Sequence, residues 1–190
     1  MRVSQEEKDR SHARIVESAA RLVRERGIDS TSVANVMGDA GMTHGGFYRH
    51  FDTKEALLAA ALESAFDQIL SLLETQPGDD KPRASVPEYR AHYLSQAHVD
   101  SPGMGCPLAA LGADVARGSE ALKEVFGAGL ARTITTLARD KSGSKAERRA
   151  IAARELASMV GAVTLARAAD PANARIVLEA CRGSFGVGRT

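Results

Sequence analysis

The sequence predicts an all-α fold on three observations. Apolar residues recur three and four positions apart along most of the chain, which places them on one face of a helix. Alternating strand patterns are sparse, and only 6 prolines interrupt the 190 residues. Alanine, the best helix former, is frequent throughout. We therefore expect about nine helices.

The segment 31–54 predicts a helix-turn-helix. Thr31 and Ser32 carry hydroxyls that can cap a helix N-terminus. Gly41 stands where a turn needs a positive φ, and a second short segment runs from Thr43 to about His50. The first helix has its apolar face at Val33, Val36, Met37 and Ala40.

The second helix of such a unit lies in the major groove of DNA, and its first residues reach base edges. Here that N-terminus reads Thr43, His44, Gly45, Gly46. Two glycines weaken a helix by about 1 kcal/mol each relative to alanine, so they favour close approach to another surface over stability. The groups that can reach phosphate oxygens are Tyr48, His50 and Lys54.

Helical periodicity continues on both sides of this unit. Residues 1–10 predict a mobile arm with Arg2, Lys8 and Arg10, and Gly27 ends the first helix. Residues 76–87 predict a polar loop, and 100–107 a flexible turn. The expected helices are 11–26, 54–74, 88–98, 107–117, 120–140, 146–168 and 173–185.

Composition excludes several classes of protein. The chain is 44% apolar and 26% charged, as is usual for a globular protein. It has no apolar run long enough to span a bilayer, and its charged first residues do not resemble a signal peptide. We therefore expect a cytoplasmic protein. Two cysteines suffice for neither a disulfide framework nor a zinc site. We expect no metal, no cofactor and no enzymatic activity. The net charge of +1 is weak for a nucleic-acid binder, although a helix-turn-helix needs only a local positive rim.

The segment 31–57 resembles the DNA-binding domain of TetR-family transcriptional repressors. The resemblance rests on the Thr31-Ser32-Val33 helix start, Gly41, the block Phe47-Tyr48-x-His50-Phe51, and Lys54-Glu55-Ala56-Leu57. It implies a DNA-binding domain over 1–53 and an effector-binding and dimerisation domain over 54–190. It also implies a homodimer that represses from a near-palindromic double-stranded operator, and an unknown small-molecule effector that releases it. DNA contacts are then expected from Thr31, Ser32, Thr43, His44, Gly45, Gly46, Tyr48, His50 and Lys54.

The same resemblance assigns roles in the second domain. The last two helices resemble the pair with which subunits of this family build a four-helix dimer interface. The candidate interface residues are Leu156, Met159, Val160, Val163, Val177 and Cys181. Position along the chain suggests that the effector contacts His92, Tyr93, Met104, Cys106 and Phe126.

Three alternatives stay open at this stage. One is an activator on the same scaffold, and another is an enzyme that acquired a DNA-binding segment. The third is a sensor of oxidants or electrophiles that acts through Cys106. Cys106 lies between Gly105 and Pro107 at an expected helix start, where a thiolate would be stabilised. Little bulk precedes it, whereas Cys181 is expected to be packed and inert.

Overall fold

The computed structural model describes residues 5–74 and 84–185. Within these ranges all regular structure is helical, which confirms the all-α prediction. No helix there combines the length and the apolar character needed to cross a bilayer. The α-helices are α1 Gln5–Arg26, α2 Val33–Asp39, α3 Lys54–Leu70, α4 Val86–Tyr93, α5 Gln96–Asp100, α6 Pro107–Ala116, α7 Glu120–Leu137, α8 Lys145–Ala168 and α9 Pro171–Ser184. Short 3-10 segments cover His44–Arg49, Pro102–Met104 and Ala138–Asp140.

Several predicted boundaries are wrong. α1 begins at Gln5, so residues 5–10 are helical and are not an arm; Arg2 lies outside the described residues. The helix expected over 88–98 is two helices, because the hydroxyl of Ser95 caps a new start by accepting from the His98 amide at 3.2 Å. The turn expected over 100–107 contains the 3-10 segment. Most of the loop expected over 76–87 lies outside the described residues.

Two apolar cores divide the described residues. The first joins α1, α2, the segment His44–Arg49 and the start of α3, with Ile15, Met37, Phe47 and Leu57 among its fully buried side chains. The second is built from α3 to α9. α3 contributes to both cores, through Leu57 to the first and Phe66 to the second. The division at residues 53 and 54 remains a prediction, and α3 physically links its two halves.

α1 is tied to the second core by a buried arginine. The Arg24 guanidinium donates to the carbonyl of Gly105 at 3.0 Å and to the Gln68 side chain at 2.6 Å. Burial lowers its pKa to about 10, so it remains a cation. Just beyond α1, the Ile28 amide donates to the Asp114 carboxylate at 2.9 Å. These bonds link α1 physically to the loop before α6 and to α6 itself.

A neutral histidine fixes that loop. His98 Nδ1 contacts the carbonyl of Tyr93 at 2.6 Å, and the Cys106 amide donates to His98 Nε2 at 3.1 Å. The ring therefore carries its proton on Nδ1. Burial lowers the pKa of His98 to about 4, with Arg167 and His92 acting in the same direction and the bond to Tyr93 opposing.

Candidate nucleic-acid interface

α2 and its turn form the first half of the predicted helix-turn-helix. The Ser32 hydroxyl accepts from the Asn35 backbone amide at 3.1 Å, and the Ser32 backbone amide donates to the Asn35 side-chain oxygen at 3.4 Å, which together make a capping box. Gly41 turns the chain with a φ of 71°, in the left-handed region that favours glycine. On the inner side, the Ser18 hydroxyl of α1 donates to the Val36 carbonyl at 3.2 Å.

The second half, His44–Arg49, is a single 3-10 segment with one apolar anchor. Phe47 is buried and stacks on Phe51, with ring centroids 5.9 Å apart. Anchoring Phe47 inward turns its neighbours outward. Tyr48 is 71% exposed, and Thr43, His44 and Gly45 are also exposed. These side chains form one polar surface that needs no rearrangement to meet a partner.

The two glycines of this surface are not explained by packing within the chain. A Cβ on Gly45 would meet no described atom within 4 Å, and one on Gly46 would make only ordinary contacts, the nearest at 3.6 Å to Met37. Neither residue has a positive φ. The fold itself therefore requires glycine at neither position. Any need for glycine here would come from a partner that approaches this surface closely.

His50 and Lys54 lie at the far end of the same surface. Thr53 caps α3 by accepting from the Ala56 amide at 3.0 Å, which leaves Lys54 exposed at the first position of that helix. His50 is half-buried, with its ring centroid 6.0 Å from that of His12. Burial, and then electrostatic interaction with His12, Lys8 and Arg49, lower the pKa of His50, which disfavours its charged form.

Two predicted DNA contacts have structural roles instead. Thr31 is 1% exposed, and its hydroxyl donates to the Gly27 carbonyl at 2.8 Å, so its prediction as a DNA contact is wrong. Ser32 is exposed, but its hydroxyl is already engaged in the capping box. Arg49 was missed by the sequence reasoning, although it is exposed on the same segment next to Tyr48.

The five predicted effector contacts do not form one pocket. Tyr93 and Cys106 are buried close to each other, whereas His92 is exposed. Met104 is 68% exposed and borders a separate cleft with Arg14 and Asp39. Phe126 packs edge-on against Phe66 with ring centroids 5.9 Å apart, inside the core. Only Tyr93 and Cys106 therefore stay together as candidates.

Cys106 is buried, which does not favour the alternative of a reactive sensor thiol. The residue is 2% exposed, and burial raises the pKa of its thiol despite the opposing influence of Tyr93 and of the backbone of Leu108 and Ala109. Cys181 is half-buried, and burial raises the pKa of its thiol as well.

The predicted dimer contacts fall into two groups, one buried and one half-buried. Leu156, Met159 and Val163 are buried in the chain's own core, so their prediction as contacts to a partner is wrong. Val160, Val177 and Cys181 are half-buried. The large apolar side chains that α8 and α9 expose are instead Leu165, at 58%, and Ile176, at 61%. Small residues lie on the same face within two turns of each. They are Ala157, Gly161 and Ala168 around Leu165, and Ala172 and Ala180 around Ile176.

Comparison with known proteins identifies the N-terminal segment. Residues 15–61, which contain the whole helix-turn-helix, match the model of bacterial regulatory proteins of the tetR family. This segment of the chain is therefore a DNA-binding domain of the tetR type. A stretch of 81 residues is 32% identical to the HTH-type transcriptional regulator TtgR of Pseudomonas putida. That match covers 43% of this chain and spans only 39% of the length of TtgR.

The TetR-family fold extends over nearly the whole chain. A TetR-family regulator from Cytophaga hutchinsonii superposes with a TM-score of 0.72 at 22% identity, covering 98% of this chain and 97% of the other. The reduced form of NemR from E. coli superposes with a TM-score of 0.69 at 20% identity, covering 92% and 94%. At these identities the comparison establishes the shared fold alone.

Proposed function

We propose that the chain is a transcriptional regulator that binds double-stranded DNA through the segment 31–54 and has no catalytic role. One observation carries the proposal. The segment His44–Arg49 is held from inside by Phe47, while Thr43, His44, Gly45 and Tyr48 form an exposed surface with space for close approach. In a helix-turn-helix this surface enters the major groove. Such a protein acts in the cytoplasm, where the DNA is.

The regulator acts as a homodimer on a near-palindromic operator. The exposed stripes of α8 and α9, centred on Leu165 and Ile176, support pairing with a second copy because they are apolar and flanked by small residues. The exposed surface of Thr43, His44, Gly45 and Tyr48, with Lys54 at its end, is called the reading surface below. Two-fold symmetry then presents two reading surfaces to successive major grooves, roughly 34–36 Å apart. The half-sites of the operator are expected at that spacing.

Repression and release follow from the coupling of α1 to α6. A bound repressor occupies DNA that polymerase needs. An effector releases it by binding more tightly to a conformer in which the two reading surfaces are misplaced. The bonds from Arg24 to Gly105 and from Ile28 to Asp114 are the contacts through which a change in the second core reaches α1. The same contacts would serve an activator.

Substitutions in the reading surface should separate affinity from specificity. Tyr48→Ala and Lys54→Ala remove groups that face the DNA backbone, so both should weaken binding to every sequence. His44→Ala and Thr43→Ala should change the preference between operator variants by about 1–3 kcal/mol per lost base contact. Gel-shift titrations on the DNA upstream of the gene, and on mutated half-sites, measure both effects.

Lys123→Ala is the matched control, because it removes the same charge from α7 of the second domain. It should leave operator affinity unchanged. If the four reading-surface variants bind like Lys123→Ala, another part of the chain reads the DNA.

Thiol labelling tests the alternative function as an oxidant or electrophile sensor. The structural neighbour NemR is described in a reduced form, and this chain also carries two free cysteines. Cys106 is 2% exposed and its thiol has a raised pKa, so iodoacetamide should label it more slowly than Cys181 at every pH at which the protein stays folded. Release of operator DNA by a quinone, if any, should survive Cys106→Ser. Fast labelling of Cys106, or release that Cys106→Ser abolishes, would restore the sensor hypothesis.

A further inference from the structure

Three buried hydrogen-bond donors near Cys106 have no oxygen or nitrogen acceptor in the described part of the chain. They are the hydroxyls of Tyr89 and Tyr93, both on α4, and Nη1 of Arg167 on α8; Nε of Arg148 on α8 also lacks a partner. Tyr89 is 3% exposed and Tyr93 2%. A buried donor without a partner destabilises a protein, and native folds leave few of them unexplained.

These donors lie around Cys106. The rings of Tyr89 and Tyr93 are 5.7 Å apart, and the ring of His98 lies 4.5 Å from that of Tyr93. His98 in turn accepts from the Cys106 amide. The Tyr93 hydroxyl, by hydrogen bonding, and the Arg167 charge both lower the pKa of the Cys106 thiol and oppose the effect of burial, so both groups lie near its sulfur, which is only a weak acceptor. The three donors therefore belong to one cluster and are not scattered defects.

The cluster has the chemistry to hold an acceptor. Burial raises the pKa of both tyrosines well above the ordinary value, so both hydroxyls keep their protons. Arg167 is a cation whose orientation is fixed, because it donates to the carbonyl of His98 at 2.9 Å and to that of Val99 at 3.1 Å. Its remaining nitrogen, like the two hydroxyls, can only donate to an anion or a neutral oxygen.

Arg167 also borders a cleft that is open to solvent. The cleft has a volume of about 610 Å³ and lies between the end of α1 and the helices α5, α6, α8 and α9. This volume is within the range of small-molecule sites. Its apolar walls include Val99, Ala109, Ala110 and Ala166. Of the three donors Arg167 is the one that lines the cleft, and Tyr89 and Tyr93 lie behind it in the core.

We propose that this cleft binds a small organic monoanion, whose carboxylate reaches Arg167 and accepts hydrogen bonds from Tyr93 and Tyr89 while its hydrocarbon part lies along the alanine wall. Two carboxylates also border the cleft: Glu25, which is paired with Arg21 at 3.0 Å, and Asp100, which accepts from Gln96 at 2.8 Å. They repel a second negative charge, so a dianion of the same length is excluded.

Occupation of the cleft would act on the reading surface. The cleft is bordered by Arg24 and by the loop before α6, which are the contacts that tie α1 to the second core. A carboxylate that draws Arg167 and the loop together alters those contacts. Release of DNA by the anion rests on the proposed regulatory function, whereas binding of the anion does not.

The test combines two readouts on variants that lose only a hydroxyl. Tyr93→Phe and Tyr89→Phe should leave the Tm of the ligand-free protein unchanged or raise it, because neither hydroxyl has an oxygen or nitrogen partner to lose and a thiol is only a weak acceptor. The same variants should weaken binding of a straight-chain carboxylate roughly tenfold each, the effect of losing one hydrogen bond to a charged group. Calorimetric titration measures the binding of the sodium salts from acetate to octanoate. Two further compounds are matched to hexanoate in length: 1-hexanol, which is uncharged, and adipate, which is a dianion.

Tyr48→Phe is the control, since its hydroxyl is on the exposed reading surface; it should change neither Tm nor carboxylate affinity. The proposal is overturned if no carboxylate in the series binds saturably, or if hexanol or adipate binds as well as hexanoate. It is also overturned if Tyr93→Phe and Tyr89→Phe bind like wild type, or if both lower Tm as expected for hydroxyls already bonded to buried water. Carboxylate binding without any effect on operator affinity would preserve the site and remove only its regulatory role.

Discussion

Ile176→Glu is expected to convert the dimer to a monomer and to reduce operator affinity by several orders of magnitude. Ile176 is 61% exposed in the single chain, so the carboxylate is solvated in the monomer and folding should be unaffected. In the proposed interface of α8 and α9 the same carboxylate would be buried without a partner, at a cost of several kcal/mol. Each 1.4 kcal/mol corresponds to about a tenfold change in the dissociation constant. A monomer then presents one reading surface where the operator offers two half-sites.

Sedimentation velocity over a range of concentrations measures the association, and a gel-shift titration measures the operator affinity. Leu72→Glu is the matched control, because it places a carboxylate at another exposed apolar position, 44% exposed, just beyond α3. It should remain a dimer with wild-type operator affinity. An Ile176→Glu protein that sediments as a dimer at the same concentration would show that the interface lies elsewhere.

The second large effect is expected from pH. His98 is held neutral in the folded protein with a pKa of about 4, whereas in the unfolded chain it titrates near 6.5. Above pH 6.5 both states are neutral and the contribution is constant. As pH falls from 6.5 to 4 the unfolded state binds the proton and the folded state does not, so the free energy of unfolding decreases by about 3 kcal/mol. Below pH 4 the loss is complete.

Urea unfolding at pH 7, 5.5 and 4.5 measures this slope. The pKa of His50 is also lowered in the folded protein, so wild type must be compared with variants. His98→Gln retains a donor and an acceptor but cannot titrate; it should be less stable at pH 7 and lose stability less steeply below pH 6.5. His92→Gln, at an exposed position of α4, should keep the wild-type slope. Parallel curves for all three proteins would contradict the assignment of the slope to His98.

Local patterns in the sequence predicted the all-α fold and the local caps and turn of the helix-turn-helix, while the DNA contacts of this segment stay a prediction. The hydroxyl caps at Ser32 and Thr53 and the turn at Gly41 depend only on near neighbours, and the structure contains all three. Thr31 was misassigned because its burial against Gly27 depends on how α1 ends before the motif begins. The break at Ser95 was missed because a serine within an apolar period does not by itself end a helix.

The second domain was predicted less well for a different reason. α8 carries apolar residues on more than one side, and periodicity does not tell which side faces the chain's own core. Met159 and Leu165 are both large apolar residues of α8, yet Met159 is fully buried and Leu165 is 58% exposed. The sensor alternative for Cys106 depended on an accessible sulfur beside small neighbours. The burial of this cysteine comes from Tyr93 and His98, whose positions depend on packing between helices.

The packing at Gly105 limits how this protein could diversify. A Cβ there would lie 2.7 Å from His98 Nε2 and 3.0 Å from an Arg167 nitrogen, and both of those side chains are fixed by hydrogen bonds. Nearly every amino-acid replacement at codon 105 would therefore disturb the junction between the two cores. The alanines at positions 109, 110 and 166 border open space and can be enlarged. Paralogues with altered ligand preference should differ at these alanine codons and retain glycine at 105.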